Sequence, residues 1–263
     1  MTCCLCGNSG GSVYLAGDGW RLLRCGCGMI YTDDFAAGAL SYAEDEYFVA
    51  RNEYVQQWDK FTGIFDSLLA RIGRYKSGGR LLDVGAGVGT LVAAAGRHGF
   101  TASGVEVSEW ASRFAREEKG LDVRTGLLED ATLPDGHFDV VTINHVLEHV
   151  PQPAALLAEV GRILKDDGLL VIGVPNIGSI MARLKGPKWA SLRHEEHIWH
   201  FTPATLRRLL AQSGFRELHF ESRENHPAAG WGPKDLAVRL IGAIAVASGR
   251  SEAMLLFCAK AGK

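Results

Sequence analysis

A short apolar strand that runs directly into three closely spaced glycines and then a helix is the feature that most constrains the fold. The segment reads Leu81-Leu82-Asp83-Val84-Gly85-Ala86-Gly87-Val88-Gly89-Thr90. Glycines allow a tight turn and let a ligand approach the bare backbone. Glu106, 21 residues after Gly85, ends the next predicted strand, where an acid accepts hydrogen bonds from ribose hydroxyls. The segment therefore predicts a ligand containing adenosine at the carboxyl edge of a parallel sheet.

The remainder of the chain repeats the alternation of strand and helix. Strands are predicted at 80–84, 101–107, 122–125, 138–143, 169–174, 217–222 and 254–261. Helices are predicted at 90–98, 109–119, 153–164, 203–213 and 235–247. Strands that alternate with helices of this length predict an α/β fold, a parallel sheet covered by helices on both faces.

The spacing of the glycines separates two kinds of nucleotide ligand. Dinucleotide-binding loops follow the pattern G-x-G-x-x-G, whereas here the third glycine comes one residue earlier. Asp83 precedes the first glycine by two residues, and an acid there suits a ligand with a cationic amine and a sulfonium better than a pyrophosphate. The structural alternative is a tight turn that binds no ligand.

Several motifs follow the loop in a fixed order, and together they resemble one family. The motifs are Asp83–Gly89, Gly126–Glu129, Phe138–Val141, His145–Val150, Leu164–Ile172, Phe201–Leu206 and Gly214–Phe215. Their order and spacing, over roughly residues 41–222, resemble the class I S-adenosylmethionine (SAM)-dependent methyltransferases, in the ubiquinone-methylase-like branch that acts on small molecules. The resemblance implies a Rossmann-like doubly wound sheet, mostly parallel with an antiparallel last strand.

The resemblance also implies an activity and a set of residues that bind SAM. The activity would be methyl transfer to oxygen, nitrogen or carbon of a small metabolite or sugar-like acceptor. Asp83 would lie near the amine of the cofactor and Glu106 would hold its ribose. Many relatives carry an acid at the position of Leu127, where it accepts a hydrogen bond from the adenine amine. This chain has leucine there, so Glu129 or backbone atoms would accept that hydrogen bond instead. The full implied set is Asp83, Gly85, Ala86, Gly87, Gly89, Glu106, Val107, Leu127, Leu128, Glu129, Asn144 and His145.

Histidines in two motifs are candidate bases for a hydroxyl or amine acceptor, since imidazole titrates near neutral pH. His145 follows the fourth strand, where the family pattern brings the methyl group to the acceptor. His197 and His200 lie in a segment that borders the substrate pocket in the family pattern. The alternative for the second segment is a metal site formed with His194. For His149, which follows Glu148 in the first motif, the alternative is a structural hydrogen bond at a helix start.

Five of the six cysteines lie within the first 27 residues. Cys3 and Cys6 form one pair, and Cys25 and Cys27 form a second, with a spacer of only one residue. Paired thiolates of this kind predict a structural Zn²⁺ site in a zinc-ribbon-like unit, with a cluster of free thiols as the alternative. The predicted organisation is a zinc-ribbon-like unit at 1–35, a helical lid segment at 36–78 and a SAM-binding domain at 79–263.

Composition narrows the partners and the compartment. The formal net charge is −2 and no run of Lys or Arg forms a basic tail, which argues against nucleic acid and favours a small-molecule acceptor. Signal-peptide and membrane-spanning patterns are absent from the sequence, so we expect no membrane association and a cytoplasmic location. Two other functions stay open: an RNA methyltransferase guided by the ribbon, and a SAM-binding interaction module without catalysis.

Overall fold

The computed structural model describes residues 1–33, 35, 53–224 and 233–262. The strands are β1 (Ser12–Gly17), β2 (Trp20–Arg24), β3 (Ile30–Thr32), β4 (Gly79–Val84), β5 (Phe100–Glu106), β6 (Val123–Thr125), β7 (Phe138–Asn144), β8 (Leu164–Pro175), β9 (Trp199–His200), β10 (Phe215–Arg223) and β11 (Ala253–Lys260). The helices are α1 (Glu53–Gln56), α2 (Trp58–Ile72), α3 (Thr90–Arg97), α4 (Glu109–Glu117), α5 (Pro153–Ile163), α6 (Ile180–Lys185), α7 (Pro203–Gln212) and α8 (Pro233–Ala247). Much of the predicted lid segment, at 36–52, lies outside the described residues.

The described strands include a seven-stranded sheet with the order β10-β11-β8-β7-β4-β5-β6. β4 pairs in parallel with β5 on one side and with β7 on the other, and β5 pairs in parallel with β6. The chain therefore runs outward from β4 to β6 and then returns to the other side of β4. Ligands of open α/β sheets bind outside the carboxyl ends of the strands at such a reversal. The predicted α/β fold with a mostly parallel sheet is confirmed.

The central strands are almost wholly apolar because both of their faces are buried. Leu81, Leu82 and Val84 of β4 and Val140, Val141 and Ile143 of β7 are all buried. Asp83 and Thr142 are polar exceptions, and they are register partners on β4 and β7. Two polar residues side by side in an apolar sheet must satisfy each other or a ligand.

A second sheet forms near the N-terminus, with the order β1-β2-β3-β9 among the described strands. β3 pairs with β9 in antiparallel fashion through Ile30–His200 and Tyr31–Trp199. The N-terminal strands thus share a sheet with the predicted histidine segment. Leu22, Ile30 and Trp189 are among the buried residues of a small apolar core in this region.

The described chain divides into two compact units. One unit combines residues within 1–39, 145–154 and 172–257, and the other combines residues within 40–144, 155–171 and 258–263. The three-part division at residues 35 and 78 stays a prediction, but the cysteine segment shares its compact unit with β9. Among the described residues, every helix is too short or too polar to cross a membrane.

Candidate cofactor site and histidine cluster

Asp83 lies near the end of β4 with its carboxylate buried beside β7. Its Oδ1 accepts a hydrogen bond from the Thr142 hydroxyl at 2.6 Å. Burial raises the pKa of Asp83 to about 7; the Thr142 hydrogen bond opposes the rise, and the charge of Glu106 adds to it. The carboxyl therefore changes its charge near neutral pH, and a nearby cation would favour the ionised form.

Glu106 ends β5 and is held by the loop that follows β4. Its Oε2 accepts from the backbone N–H of Gly87 at 2.7 Å, and its Oε1 accepts from the N–H of Ser108 at 2.9 Å. Burial raises the pKa of Glu106, although these amide donors act in the opposite direction. Each oxygen retains a further lone pair, so the fixed carboxylate can also accept from the hydroxyls of a ribose.

The loop between β4 and α3 needs glycine for two different physical reasons. Gly85, Gly87 and Gly89 all have positive φ, at 74°, 54° and 87°. A Cβ at Gly89 would also lie 2.6 Å from Leu121 Cδ1, so this glycine permits packing against the core. Sequence reasoning missed Gly104 on β5, where a Cβ would lie 2.6 Å from the Cβ of Ala86. Its lack of a side chain makes room for the loop.

The predicted adenine turn follows β6. Gly126, with φ of 127°, donates its N–H to the backbone oxygen of Glu106 at 2.9 Å, which fixes the turn beside the ribose-binding acid. Leu128 is buried in the core, whereas Leu127 is 49% exposed and Glu129 is exposed in a short 3-10 turn. Of the two leucines, only Leu127 offers a surface side chain to a ligand.

His145 directly follows Asn144, the last residue of β7, and its backbone is in an unusual conformation. Its φ is +56°, in the left-handed region that a non-glycine residue rarely adopts. Its N–H donates to the backbone oxygen of Gly173 at 2.8 Å. The side chain is 41% exposed, which leaves it accessible to an acceptor. Strained residues of this kind concentrate at functional sites.

Three titratable residues that sequence reasoning did not group together form a compact cluster. One ligand atom each from Glu148, His149 and His197 lies within 4.8 Å of the other two. Burial alone would raise the pKa of Glu148, but His145 and His149 outweigh it and hold the pKa below its ordinary value. Burial, reinforced by neighbouring rings, lowers the pKa of His197 well below its ordinary value. His197 is therefore neutral at physiological pH.

His200, a predicted candidate base, is held by a defined hydrogen bond. Thr32 donates its hydroxyl proton to the backbone oxygen of His197 at 2.7 Å, so the contact of that hydroxyl with His200 Nε2 at 3.1 Å makes the ring nitrogen the donor. Burial lowers the pKa of His200 to about 3. His194, the third histidine of the alternative metal set, stacks on Trp20 at 4.3 Å between ring centroids.

The structure brings the four predicted cysteine ligands together. The sulfur atoms of Cys3, Cys6, Cys25 and Cys27 lie within 4.8 Å of one another, with Cys3–Cys27 at 3.5 Å and Cys6–Cys25 at 3.4 Å. Zn–S bonds of about 2.3 Å in a tetrahedron place sulfurs about 3.8 Å apart. An S–S bond is about 2.05 Å long, so sulfur pairs at 3.4 and 3.5 Å fit a metal better than a pair of disulfides.

The short spacer of the second pair does not prevent it from forming a metal-binding turn. Gly7 donates its N–H to the oxygen of Cys3, and Gly28 donates to the oxygen of Cys25, each at 2.9 Å. Both glycines have positive φ. Cys4 is not a member of the four-sulfur group, and burial raises its pKa to about 12.

Comparison with known proteins settles the family. The sequence model of a family described as "Methyltransferase domain" matches residues 54–219, which is more than half of the chain. The chain belongs to this methyltransferase family. The resemblance to class I SAM-dependent methyltransferases is thereby confirmed.

Curated relatives match the central part of the chain. Ubiquinone biosynthesis O-methyltransferase of Thiobacillus denitrificans is 39% identical over 106 residues, which cover 38% of this chain and 46% of that protein. The protein of the same name from Actinobacillus pleuropneumoniae is 34% identical over 136 residues, which cover 48% of this chain and 52% of that protein. The chain thus spans about half the length of these relatives.

A solved structure supports the fold independently of the sequence. A SAM-dependent methyltransferase from Archaeoglobus fulgidus superimposes with a TM-score of 0.56, covering 79% of this chain and 99% of that chain. The sequence identity is 22%, so this likeness concerns the fold alone.

Proposed function

We propose that this methyltransferase-family chain is an enzyme that transfers the methyl group of SAM to a small-molecule acceptor. The observation that carries the proposal is the pair of buried carboxylates, Asp83 and Glu106, at the ends of adjacent parallel strands beside a loop of glycines with positive φ. A buried acid with a raised pKa and an acid fixed by two amides suit an ammonium and a ribose, respectively. The ubiquinone methyltransferase relatives favour a small molecule over RNA and over a module without catalysis.

The chain's residues would bind and orient the cofactor. Asp83 would ionise and accept hydrogen bonds from the ammonium. The hydrogen bond from the Thr142 hydroxyl to Oδ1 would hold the carboxylate in place. Glu106 would accept from the ribose hydroxyls while Gly87 and Ser108 hold its orientation. The other proposed contacts are Gly85, Ala86, Gly89, Val107, Leu127, Leu128, Glu129, Asn144 and His145. Bound SAM supplies an electrophilic methyl group on its sulfonium.

His145 is the residue we propose as proton acceptor from the substrate. It is exposed and directly follows β7, and a hydroxyl or amine must lose a proton as it is methylated. His197 and His200 were candidates as well, but their burial and the bond of His200 to Thr32 favour supporting contacts for both. We expect His145→Gln to lower kcat by about 10²–10⁴-fold with little change in the Kd of SAM. Unchanged turnover would remove His145 from the mechanism.

We also propose a structural Zn²⁺ ion held by Cys3, Cys6, Cys25 and Cys27. Its support is the four-sulfur cluster with its two glycine-containing turns. The ion would stabilise the N-terminal strands and would take no part in methyl transfer. A metal site made of clustered cysteines suits a reducing compartment, so we propose a location in the cytoplasm.

Incubation with methyl-labelled SAM and cell extract tests the proposal. The extract is separated into small-molecule and RNA fractions before the reaction. We expect label in a small molecule, and much less label with Glu106→Gln, compared with the exposed control Glu117→Gln on α4. Label confined to the RNA fraction would favour the RNA alternative, and SAM binding without any transfer would favour the interaction module.

A further inference from the structure

The buried carboxylate of Glu148 has no role in the proposed methyl transfer. The side chain is 1% exposed, and neither of its oxygens has a hydrogen-bond partner within the described part of the chain. Two ring nitrogens approach Oε1 outside hydrogen-bond geometry: Nδ1 of His145 at 3.3 Å and Nε2 of His149 at 3.9 Å. A charge removed from water is retained only where it is paired or coordinates a metal. A metal ion beside Glu148 would give this buried carboxylate the direct ligand bond that the two rings do not provide.

The orientation of His149 points to the same conclusion. Its Nδ1 lies 3.0 Å from the backbone oxygen of Glu196, which makes this nitrogen the one that carries the proton. The other ring nitrogen, Nε2, lies 3.9 Å from Oε1 of Glu148. A metal ion between these two atoms would be bound by both. Metal-binding histidines commonly donate their other N–H to a backbone carbonyl in this way.

The backbone holds the two segments of the cluster together. Ile198 and Trp199 both donate their N–H groups to the backbone oxygen of Glu148, at 2.9 and 3.1 Å. His197 is fixed further by its N–H bond to the oxygen of Arg193 and by the bond of Thr32 to its own oxygen. The side chains of residues 148, 149 and 197 are thus brought together by main-chain hydrogen bonds, without help from a ligand.

We propose that Glu148, His149 and His197 bind a first-row divalent transition metal ion, separate from the four-cysteine site. Their ligand atoms lie within 4.8 Å of one another. A tetrahedral ion with bonds of about 2.1 Å needs ligands about 3.4 Å apart, so small side-chain rotations would complete the site. Two imidazoles and one carboxylate suit Zn²⁺, Fe²⁺ or Co²⁺, and they leave coordination positions for water or a bound oxygen.

Titration of the full chain with Co²⁺, after its cysteine site has been filled with Zn²⁺, tests the proposal. Cobalt absorbs visible light and its spectrum differs between thiolate and nitrogen–oxygen ligands. We expect one Co²⁺ per chain, with X-ray absorption showing nitrogen and oxygen but no sulfur around it. We also expect metal-dependent protection against thermal unfolding. These readouts need no acceptor, so their failure is distinguishable from failure of the proposed methyl transfer.

Substitutions identify the ligands. Glu148→Gln and His149→Gln should each weaken Co²⁺ binding at least tenfold, whereas His219→Gln, an exposed histidine on β10, should leave it unchanged. The wild-type titration remains decisive if a variant fails to fold. Absence of a second metal in the zinc-filled wild type would overturn the proposal. Co²⁺ binding that both Glu148→Gln and His149→Gln leave unchanged would overturn it as well.

Discussion

Asp83 is the residue of the central sheet whose charge would pair with the ammonium of the proposed ligand. It lies between apolar neighbours on β4, and its partner across the register is Thr142. Burial raises its pKa to about 7, since the ionised form loses its hydration inside the sheet. A ligand that brings a positive charge would stabilise the ionised form of this buried carboxyl.

Affinity for SAM should therefore depend on pH in a defined direction. The raised pKa of Asp83, about 7, means that the free chain must release a proton before this carboxylate can pair with the ammonium of SAM. Lowering the pH from about 8 to about 6 should weaken binding by about tenfold through this residue. Calorimetry at the two pH values measures the change, and buffers with different ionisation enthalpies count the released proton.

The same raised pKa has the opposite effect on the free protein. Because the folded pKa exceeds the unfolded value of about 3.9, the contribution of Asp83 to stability is present below that pH and is lost as the pH rises through about 7. Asp83→Asn should weaken SAM binding and remove both pH dependences, whereas Asp122→Asn, which is exposed, should retain them. A pH-dependent affinity that survives Asp83→Asn would show that another group is responsible.

Gly104 offers a test of how tightly the loop is packed on β5. A Cβ there would lie 2.6 Å from the Cβ of Ala86 and 3.3 Å from Val92 Cγ2. Gly104→Ala should therefore lower the free energy of unfolding by about 1–3 kcal/mol and also weaken SAM binding, because the displaced Ala86 belongs to the loop. Thermal and denaturant unfolding measure the first effect and calorimetry the second.

Gly96 on α3 is the matched control for this substitution. Nothing lies within 4 Å of a Cβ at that position, so alanine there should be neutral or should stabilise the helix by about 0.5–1 kcal/mol. If Gly104→Ala were as well tolerated as Gly96→Ala, the loop would have more freedom than the structure shows.

At the level of secondary-structure elements, periodicity located the strands of the large sheet to within a few residues. β4, β7 and β11 read as apolar runs because both faces are buried, and α7 begins at Pro203 after the cap residue Thr202, which accepts a hydrogen bond from Thr205. β8 begins five residues earlier than predicted, because Asp166-Asp167-Gly168 lies within the strand instead of ending a loop before it.

The sequence patterns do not predict the strands of the N-terminal sheet. β1 and β2 alternate only weakly between buried and exposed residues, and β9 is two residues long. β9 forms because β3, which is more than 160 residues earlier in the chain, pairs with it through Ile30–His200 and Tyr31–Trp199. Such pairing depends on tertiary structure and leaves no local periodicity.

Zinc should determine the stability of this small sheet. We expect one Zn²⁺ per chain, lost on Cys6→Ser, with a lowered thermal midpoint and loss of the β-sheet signal from β1–β3. The cysteines differ in how readily they ionise. The N–H of Asn8 lowers the pKa of Cys6 to about 7, whereas burial raises the pKa of Cys3. Metal analysis and thermal unfolding, with and without a chelator, measure these effects.

Cys4 provides the internal control for the cysteine site. It neighbours Cys3 in sequence but is outside the four-sulfur group, so Cys4→Ser should retain zinc. Loss of zinc from Cys4→Ser but not from Cys3→Ser would show that Cys4, and not Cys3, is the ligand.

For the whole molecule, the family could be predicted from the sequence because its motifs are local and ordered, from Asp83 to Phe215. The cluster of Glu148, His149 and His197 could not, because His197 is 48 residues away from His149 and only tertiary hydrogen bonds bring them together. The sequence signal for this cluster is an acid between two histidines in the segment 145–149, and the same residues also form one of the family motifs.

The central claim is that the chain binds SAM through Asp83 and Glu106, and calorimetric titration with SAM tests it most directly. We predict one SAM per chain for the wild type and for the exposed control Glu117→Gln. For Glu106→Gln we predict at least about tenfold weaker binding, equivalent to about 1.4 kcal/mol, since a charged acceptor for the ribose is lost. Absence of binding by the folded wild type, or equal affinity in Glu106→Gln, would contradict the account.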